Sequence, residues 1–353
     1  MLLKRGSSWT STLSVTESGT SDAPIVVDAY GIGDHPIIQH KSNGVMLSGS
    51  YIIVRNIHVN NHSWSGVYIS GSFNRIENSL VTNNVAGIYV KSGAACNGIV
   101  GNVIKDNNKM SVLTRRSGDD SGAFGVLIHG DFTEVAYNTI SGSDAFSYDF
   151  DLDGAAVEIY GGQNNDIHHN LAIDNHAFTE LGHPRSANNT FAYNVVRSSL
   201  DTSTFLVTRG AGSRYGPVMT TRVLNNSVYM TGNGSQGFVC HAGCGSDILM
   251  MRNNIIQAVA KTGFADAPFD EDYNLYHGGQ HQFTMGSHSV VTDPLFVDPV
   301  AGDLHLQSTS PAIDAGAHLG YTIDIDGQSV ALDGNCDGTA SPDFGAYEYV
   351  CTD

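Results

Sequence analysis

The sequence predicts an all-β chain wound as a single-stranded right-handed parallel β-helix, a solenoid with an N-terminal cap and a C-terminal capping segment. Three observations predict it. Glycine is abundant, at 40 of 353 residues, and only 15% of the chain is charged, which suits short strands and tight turns better than amphipathic helices. A short strand unit centred on asparagine recurs along the chain, and a second strand with alternating apolar positions recurs between its copies.

The start of the chain, residues 1–45, reads as an N-terminal capping coil. Met1 is followed almost at once by Lys4, Arg5 and a polar run, with no apolar leader, so it reads as the mature end of a secreted or extracellular protein. No stretch approaches the roughly 20 apolar residues of a membrane span. A formal charge of −18, from 17 basic and 35 acidic residues, argues against nucleic acid and anionic membranes as partners.

The helix proper is expected to run to residue 290. Its asparagine units centre on Asn56, Asn78, Asn102, Asn138, Asn170, Asn194, Asn226 and Asn254. Where no loop intervenes they lie about one coil apart. Asparagine tolerates left-handed backbone and its amide can bond its own copy one coil away, so a structural ladder at a sharp corner is the expected role.

The second strand series is Gly66–Ile69, Gly87–Val90, Gly125–Ile128, Ala156–Ile159, Phe178–Leu181, Thr204–Val207 and Gly237–Cys240. With a side-chain period of two, the outward residues are expected to be Tyr68, Tyr89, Leu127, Glu158, Glu180, Leu206 and Val239. Glu158 and Glu180 then lie on neighbouring coils about 4.8 Å apart. Such a pair calls for a shared proton, a cation, an arginine or a substrate.

Insertions at about 109–124, 143–155 and 208–220 interrupt the repeat beside this series and would rise as walls around the two glutamates. They bring Arg115, Arg116, Asp119, Asp120, Asp149, Asp151, Asp153, Arg209, Arg214 and Tyr215 to that region, with Tyr160, His129 and His183 on or just past the strands. Residues 291–353 complete the chain as a capping segment packed on the helix. Of five cysteines, Cys240 and Cys244 are near neighbours, as are Cys336 and Cys351, so two disulfides and one buried thiol, Cys96, are expected.

With these features the chain resembles the right-handed parallel β-helix repeat proteins, the pectate lyase-like group of polysaccharide lyases and glycoside hydrolases. Leu3–Trp9 and Pro24–Gly31 look like that group's capping strand. Asp293–Asp298, Ser310–Gly316, Asp324–Gly327 and Asp343–Glu348 look like its tail segment. The resemblance implies a polysaccharide partner. Glu158 through His183 is similar to the catalytic coils of the β-helix alginate and chondroitin lyases, which implies Glu158 as a calcium ligand and His183 as a companion histidine. The positions of that group's catalytic Lys and Arg hold Gln163 and Gly182, leaving Arg209 as the substitute base.

Three function classes follow. In a hydrolase, Glu158 and Glu180 form a carboxylate pair, with Asp153 or Asp151 able to replace one member and His183 or His129 tuning the proton. A separation near about 5 Å would give retention of configuration, and no cofactor is required. In a lyase, Glu158, Glu180 and Asp153 hold Ca²⁺ and Arg209 takes the proton. In a binding protein without turnover, Tyr68, Tyr89 and Tyr160 are stacking platforms. The hydrolase is favoured because lysine is scarce across the central coils. Its site is Glu158, Glu180, Asp153, His183 and Arg209, flanked by Tyr160, His129, Arg115, Arg116, Arg214, Tyr215 and Tyr89 for substrate. His168 and His169 are adjacent, so strand alternation would point them to opposite faces, away from any shared site. Separately, Asp333, Asn335 and Asp337 have the D-x-N-x-D-G form of a structural calcium loop, but Phe344 stands where its closing glutamate belongs.

Overall fold

The computed structural model describes residues 1–116 and 118–351, which group into two compact units: Met1–Asp166 with Ile173–Leu181, and Ile167–Ala172 with the chain from Gly182 onward. Among the described residues none is helical, so no helix is long and apolar enough to cross a membrane.

In the first unit every coil contributes three short strands. First strands run Leu2–Lys4, Ile25–Tyr30, Ile52–Arg55, Arg75–Glu77, Gly98–Val100 and Glu134–Ala136, each pairing in parallel with the next. Second strands run from Ser8–Trp9 to Thr139–Ser141 in the same manner. The third series is Leu13–Val15, Asn43–Leu47, Ser65–Ile69, Ala86–Val90, Phe124–Ile128 and Ala155–Tyr160. Residues 1–45 thus supply regular coils of their own. Alternation fills the interior: Val67, Ile69, Ile88, Val90, Val126, Ile128, Val157 and Ile159 are all fully buried. Each such side chain contributes about 1.5–3 kcal/mol on leaving water.

The second unit repeats the pattern with first strands Thr190–Ala192, Thr221–Leu224, Leu249–Arg252 and Asp270–Glu271. Thr204–Arg209 and Gln236–His241 pair in its third series, which continues into the long strand Ile255–Ala265 and then Leu275–Gln282. Beyond them an antiparallel hairpin, Phe296–Asp298 with Asp303–Leu306, and an irregular tail close the unit. Phe296, Leu304, Leu306, Ala312, Phe344 and Ala346 there form one core with Val195, Ile255 and Leu275.

The asparagine ladder exists, with a shifted membership. Asn102 donates its amide to Asn138 (3.0 Å), and in the second unit Asn170, Asn194, Asn226, Asn254 and Asn274 follow rung to rung at 2.8–3.0 Å. The left-handed residue is the one before each rung: Gly101, Tyr137, His169, Tyr193, Asn225, Asn253 and Tyr273. Asn56 and Asn78 occupy that left-handed position (φ 59° and 44°), so Ile57 and Ser79 stand at their rungs, and Asn274 is a further member. The last rung, Asn274, donates to the buried carboxyl of Glu271 (2.8 Å), which ends the chain of amides on an acceptor of another kind.

Other expectations meet the backbone differently. Val207 pairs with Val239 and Leu206 with Phe238, so Val207 faces outward while Leu206 lies inside, one residue out of the expected phase, and Arg209, on the same side of the strand as Val207, is itself buried. His169 is left-handed at a corner, which breaks the alternation and brings its Nδ1 within 2.8 Å of His168 Nδ1. Its other nitrogen meets the Ile323 carbonyl (3.3 Å), and burial followed by the charge of His168 pushes its pKa down to about 4. Cys240–Cys244 and Cys336–Cys351 are disulfides as the spacing predicts, but Cys96 is exposed, because it too takes the left-handed conformation of a corner.

Candidate functional site

Outward residues of the third series in the first unit follow the predicted order: Met46, Tyr68, Tyr89, Leu127 and Glu158 are successive partners. The backbone bond from Ala177 to Gly154 repeats that from Ala155 to Ala123 one coil earlier, and Ala155 is the partner of Phe124. Ala177 is therefore the partner of Ala155, and Glu180 sits opposite Glu158, one rung apart, at about 4.8 Å between strands.

Beneath the face, Ala86, Phe124 and Leu127 are buried outside the coil interior and pack with Trp64 and Tyr89. Trp64 was not singled out from the sequence because it precedes its strand in a turn, outside the alternating pattern. Tyr89 touches Trp64, Tyr68 and His129 edge to face, with centroids 5.2–5.7 Å apart, and its hydroxyl lies 3.3 Å from His129 Nδ1. Burial, then Tyr68, pushes the Tyr89 phenol up, so it keeps its proton. His129 lies against Tyr160 at 5.7 Å. Tyr89, His129 and Tyr160 are thus one group.

Two antiparallel hairpins, Met110–Val112 with Ser121–Gly122 and Ala145–Ser147 with Asp151–Asp153, are the expected insertions. They are laced together by carboxylates. Asp120 accepts the Ser147 hydroxyl (2.9 Å) and the Tyr148 and Thr114 amides (both 2.7 Å), while Asp149 accepts the amides of Asp119 and Asp120 (both 2.9 Å). Burial opposes ionisation of Asp120, but these donors outweigh it and hold the carboxyl below its ordinary range. Asp149 is held low mainly by backbone amides. One oxygen from each of Asp119, Asp120 and Asp149 lies within 4.8 Å of the others. Arg115 lies over the Tyr148 ring (5.2 Å), and Arg116 is exposed on the same hairpin.

Asp153 ends the second hairpin. Its Oδ1 accepts the Gly154 amide (2.8 Å), and burial, then the negative charge of Glu180, pushes its carboxyl up to about 6. The hairpin thus delivers an acid that holds its proton into mildly acidic solution, up to about pH 6, to a face carrying two further carboxylates.

The second unit brings together His183, Arg209, Arg214 and Tyr215. The His183 amide donates to the Tyr215 carbonyl (2.6 Å), and both guanidinium groups lie over the Tyr215 ring, Arg214 at 4.5 Å and Arg209 at 5.8 Å. Stacking holds both guanidinium planes against the ring, and Arg209 is itself buried there. Asp333, Asn335 and Asp337 form an acidic turn: the Asp337 amide donates to Asp333 (3.0 Å) and Asn335 (2.9 Å), and those of Gly338 and Thr339 to Asp333 and Asp337 (both 2.8 Å).

No protein-family model matches the chain, and no curated protein matches it in sequence. Among solved structures it is similar to the pectate lyase Pel9A, with a TM-score of 0.65 at 15% identity over 99% of this chain and 87% of that one. The chain is a right-handed parallel β-helix. This β-helix also matches an alginate lyase from Paenibacillus sp. str. FPU-7 (TM-score 0.51, 10% identity, 83% of this chain and 91% of that one). A GH136 lacto-N-biosidase from Eubacterium ramulus gives a TM-score of 0.51 at 13% identity, covering 82% of the β-helix chain but 61% of the enzyme.

Proposed function

We propose that this β-helix protein hydrolyses glycosidic bonds of a polysaccharide, with Asp153 as proton donor and Glu180 as the opposing carboxylate. The observation that carries the reading is the raised carboxyl of Asp153, held near 6 by burial and by Glu180. A glycosidic oxygen must receive a proton as its bond to the anomeric carbon breaks, and an acid with a pKa near the working pH supplies it best. Asp153 gives up that proton, and the electron pair of the broken bond stays on the departing oxygen. Either Glu180 attacks the anomeric carbon as that bond breaks, and water deprotonated by Asp153 then hydrolyses the resulting glycosyl ester and frees Glu180, or Glu180 takes a proton from the water that attacks the anomeric carbon directly; the distance between the two carboxyls decides which. Glu158, one rung away, is placed to accept a sugar hydroxyl. This scheme draws on the first unit alone. That the similar structures include two lyases and a glycosidase supports a carbohydrate substrate, and fold likeness does not choose between the chemistries.

The test is digestion of a panel of neutral and uronate polysaccharides, followed for reducing ends and for the ultraviolet absorbance of an unsaturated product. Reducing ends without absorbance, lost in Asp153→Asn, are expected. Absorbance that grows with the reducing ends would replace hydrolysis by elimination, and turnover that survives Asp153→Asn would remove the assigned acid.

A further inference from the structure

We infer that Trp64, Tyr68 and Tyr89 form a stacking track for uncharged pyranose units of the chain being cleaved, extending from the carboxylates toward the N-terminal coils. The inference rests on the hydrolase reading for its direction, and on geometry for its existence. Tyr89 and Tyr68 are the second and third rungs from Glu158 in the outward series, about 10 and 14 Å away along the face. They stand where sugars remote from the broken bond would lie.

Aromatic side chains in a β-helix can serve simply to fill its interior, but these three do not. The interior of their coils is closed by Val67, Ile69, Ile88 and Val90, each fully buried without them. The rings lie outside, half-buried, and brace one another edge to face: Trp64 on Tyr89 at 71° and Tyr68 on Tyr89 at 70°. Phe124 and Leu127 support them from below, and the bond to His129 fixes the Tyr89 hydroxyl. A braced aromatic surface loses little side-chain entropy on binding. It also offers what a pyranose ring needs: a flat apolar face for its C–H groups and hydroxyls at the edge.

Charge selects among sugars. The site beside the track carries Glu158 and Glu180 on its face and Asp119, Asp120 and Asp149 in its wall, so a uronate chain would meet repulsion along its path. Of the wall's cations, Arg115 and Arg116 sit exposed on the hairpin with Arg115 over Tyr148, and Lys109 is engaged by the Asn61 side chain (2.6 Å) and the His62 carbonyl (3.4 Å).

The experiment uses the full chain carrying Asp153→Asn, so that binding is read without turnover. The probes are graded oligosaccharides from uncharged polymers (β-glucan, xylan, mannan, galactan) and from polygalacturonate. Binding is followed by isothermal titration calorimetry, which reads the Trp64 variant as well as the others. We expect at least one uncharged series to bind more tightly with each added unit. Tyr89→Ala and Trp64→Ala should each weaken the longest member about tenfold and leave the shortest unchanged, with Tyr89→Phe retaining affinity. Affinity independent of length, an unchanged response in both alanine variants, or preference for polygalacturonate overturns the inference. Binding as expected but without cleavage by the unmodified protein overturns the hydrolase reading and leaves the track standing.

Discussion

Asp153 and Glu271 are both acids withdrawn from water, and the protein treats them in opposite ways. Glu271, in the second unit, is surrounded by donors: the Asn274 amide (2.8 Å), the Tyr276 hydroxyl (3.0 Å), and the Ser289 hydroxyl and Gly286 amide (both 2.5 Å). Asp153, in the first, accepts the amide of its neighbour Gly154 and faces the charge of Glu180. A buried carboxylate supplied with donors is a structural part, holding the end of the asparagine ladder. One placed against a like charge costs stability and keeps its proton up to about pH 6, well above the ordinary carboxyl range, which is the property an acid catalyst needs.

The largest effect should follow from removing the proton of Asp153. Asp153→Asn is expected to lower kcat/KM by about 10²–10⁴ on any substrate the protein cleaves, with the fold unchanged by circular dichroism. Because its folded pKa is raised, Asp153 favours the folded state fully at low pH and loses that contribution as pH rises through about 6. The asparagine variant should therefore melt at a higher temperature than the parent at pH 7.5 and show little difference at pH 4. In the parent, kcat/KM should fall as pH rises above about 6. A variant that loses stability at pH 7.5 would show that Asp153 is a structural acid like Glu271.

The opposite outcome is expected at Glu271. Glu271→Ala strands several buried donors and should cost about 3–4 kcal/mol in denaturant unfolding, with activity per folded molecule unchanged. An interior rung costs less: Asn226→Leu removes the bonds to Asn194 and Asn254 and should lose about 2–3 kcal/mol. If the two losses were equal, the terminal carboxyl would add nothing beyond an ordinary rung.

Repetition made the coil legible in the sequence, because strands whose inner residues are nearly all apolar, with Thr179 and Thr208 as exceptions, leave a pattern that survives substitution. Phase within the repeat was harder to read. Asn56 and Asn78 could not be told from ladder members, since asparagine suits both the rung and the left-handed residue before it. Leu206 and Val207 are both apolar, so nothing local said which faced inward. At the site, Glu158 was legible because a charge interrupted an outward series of aromatic and aliphatic residues. The standing of Asp153 was not, since it depends on how a hairpin buries a carboxyl beside Glu180. Trp64 lay outside any pattern, and its packing on Tyr89 is purely tertiary.

Between the two acids lies a third arrangement that sharpens the contrast with the smallest expected effect. His305 bridges Asp303 (2.6 Å) and Asp326 (2.7 Å), joining the C-terminal hairpin to the tail. Burial lowers the pKa of His305, but the bonds to Asp326 and Asp303 outweigh it and leave it raised, while the same contacts outweigh burial at Asp303 and leave that carboxyl lowered. The raised histidine contributes fully below its unfolded pKa of about 6.5 and fades as pH rises through its folded value. The lowered aspartate contributes above its unfolded pKa and fades as pH falls through its folded value. The clamp is therefore strongest in mildly acidic solution, whereas the donors around Glu271 do not titrate there. All three side chains are more than two-fifths exposed, so solvent screens the gain to a few tenths of a kcal/mol. His305→Gln should lose that amount at pH 5.5 and almost nothing at pH 8.5 in urea unfolding. A loss independent of pH would assign the role of His305 to its packing on Tyr347, whose ring centroid is 4.0 Å away, in place of its charge.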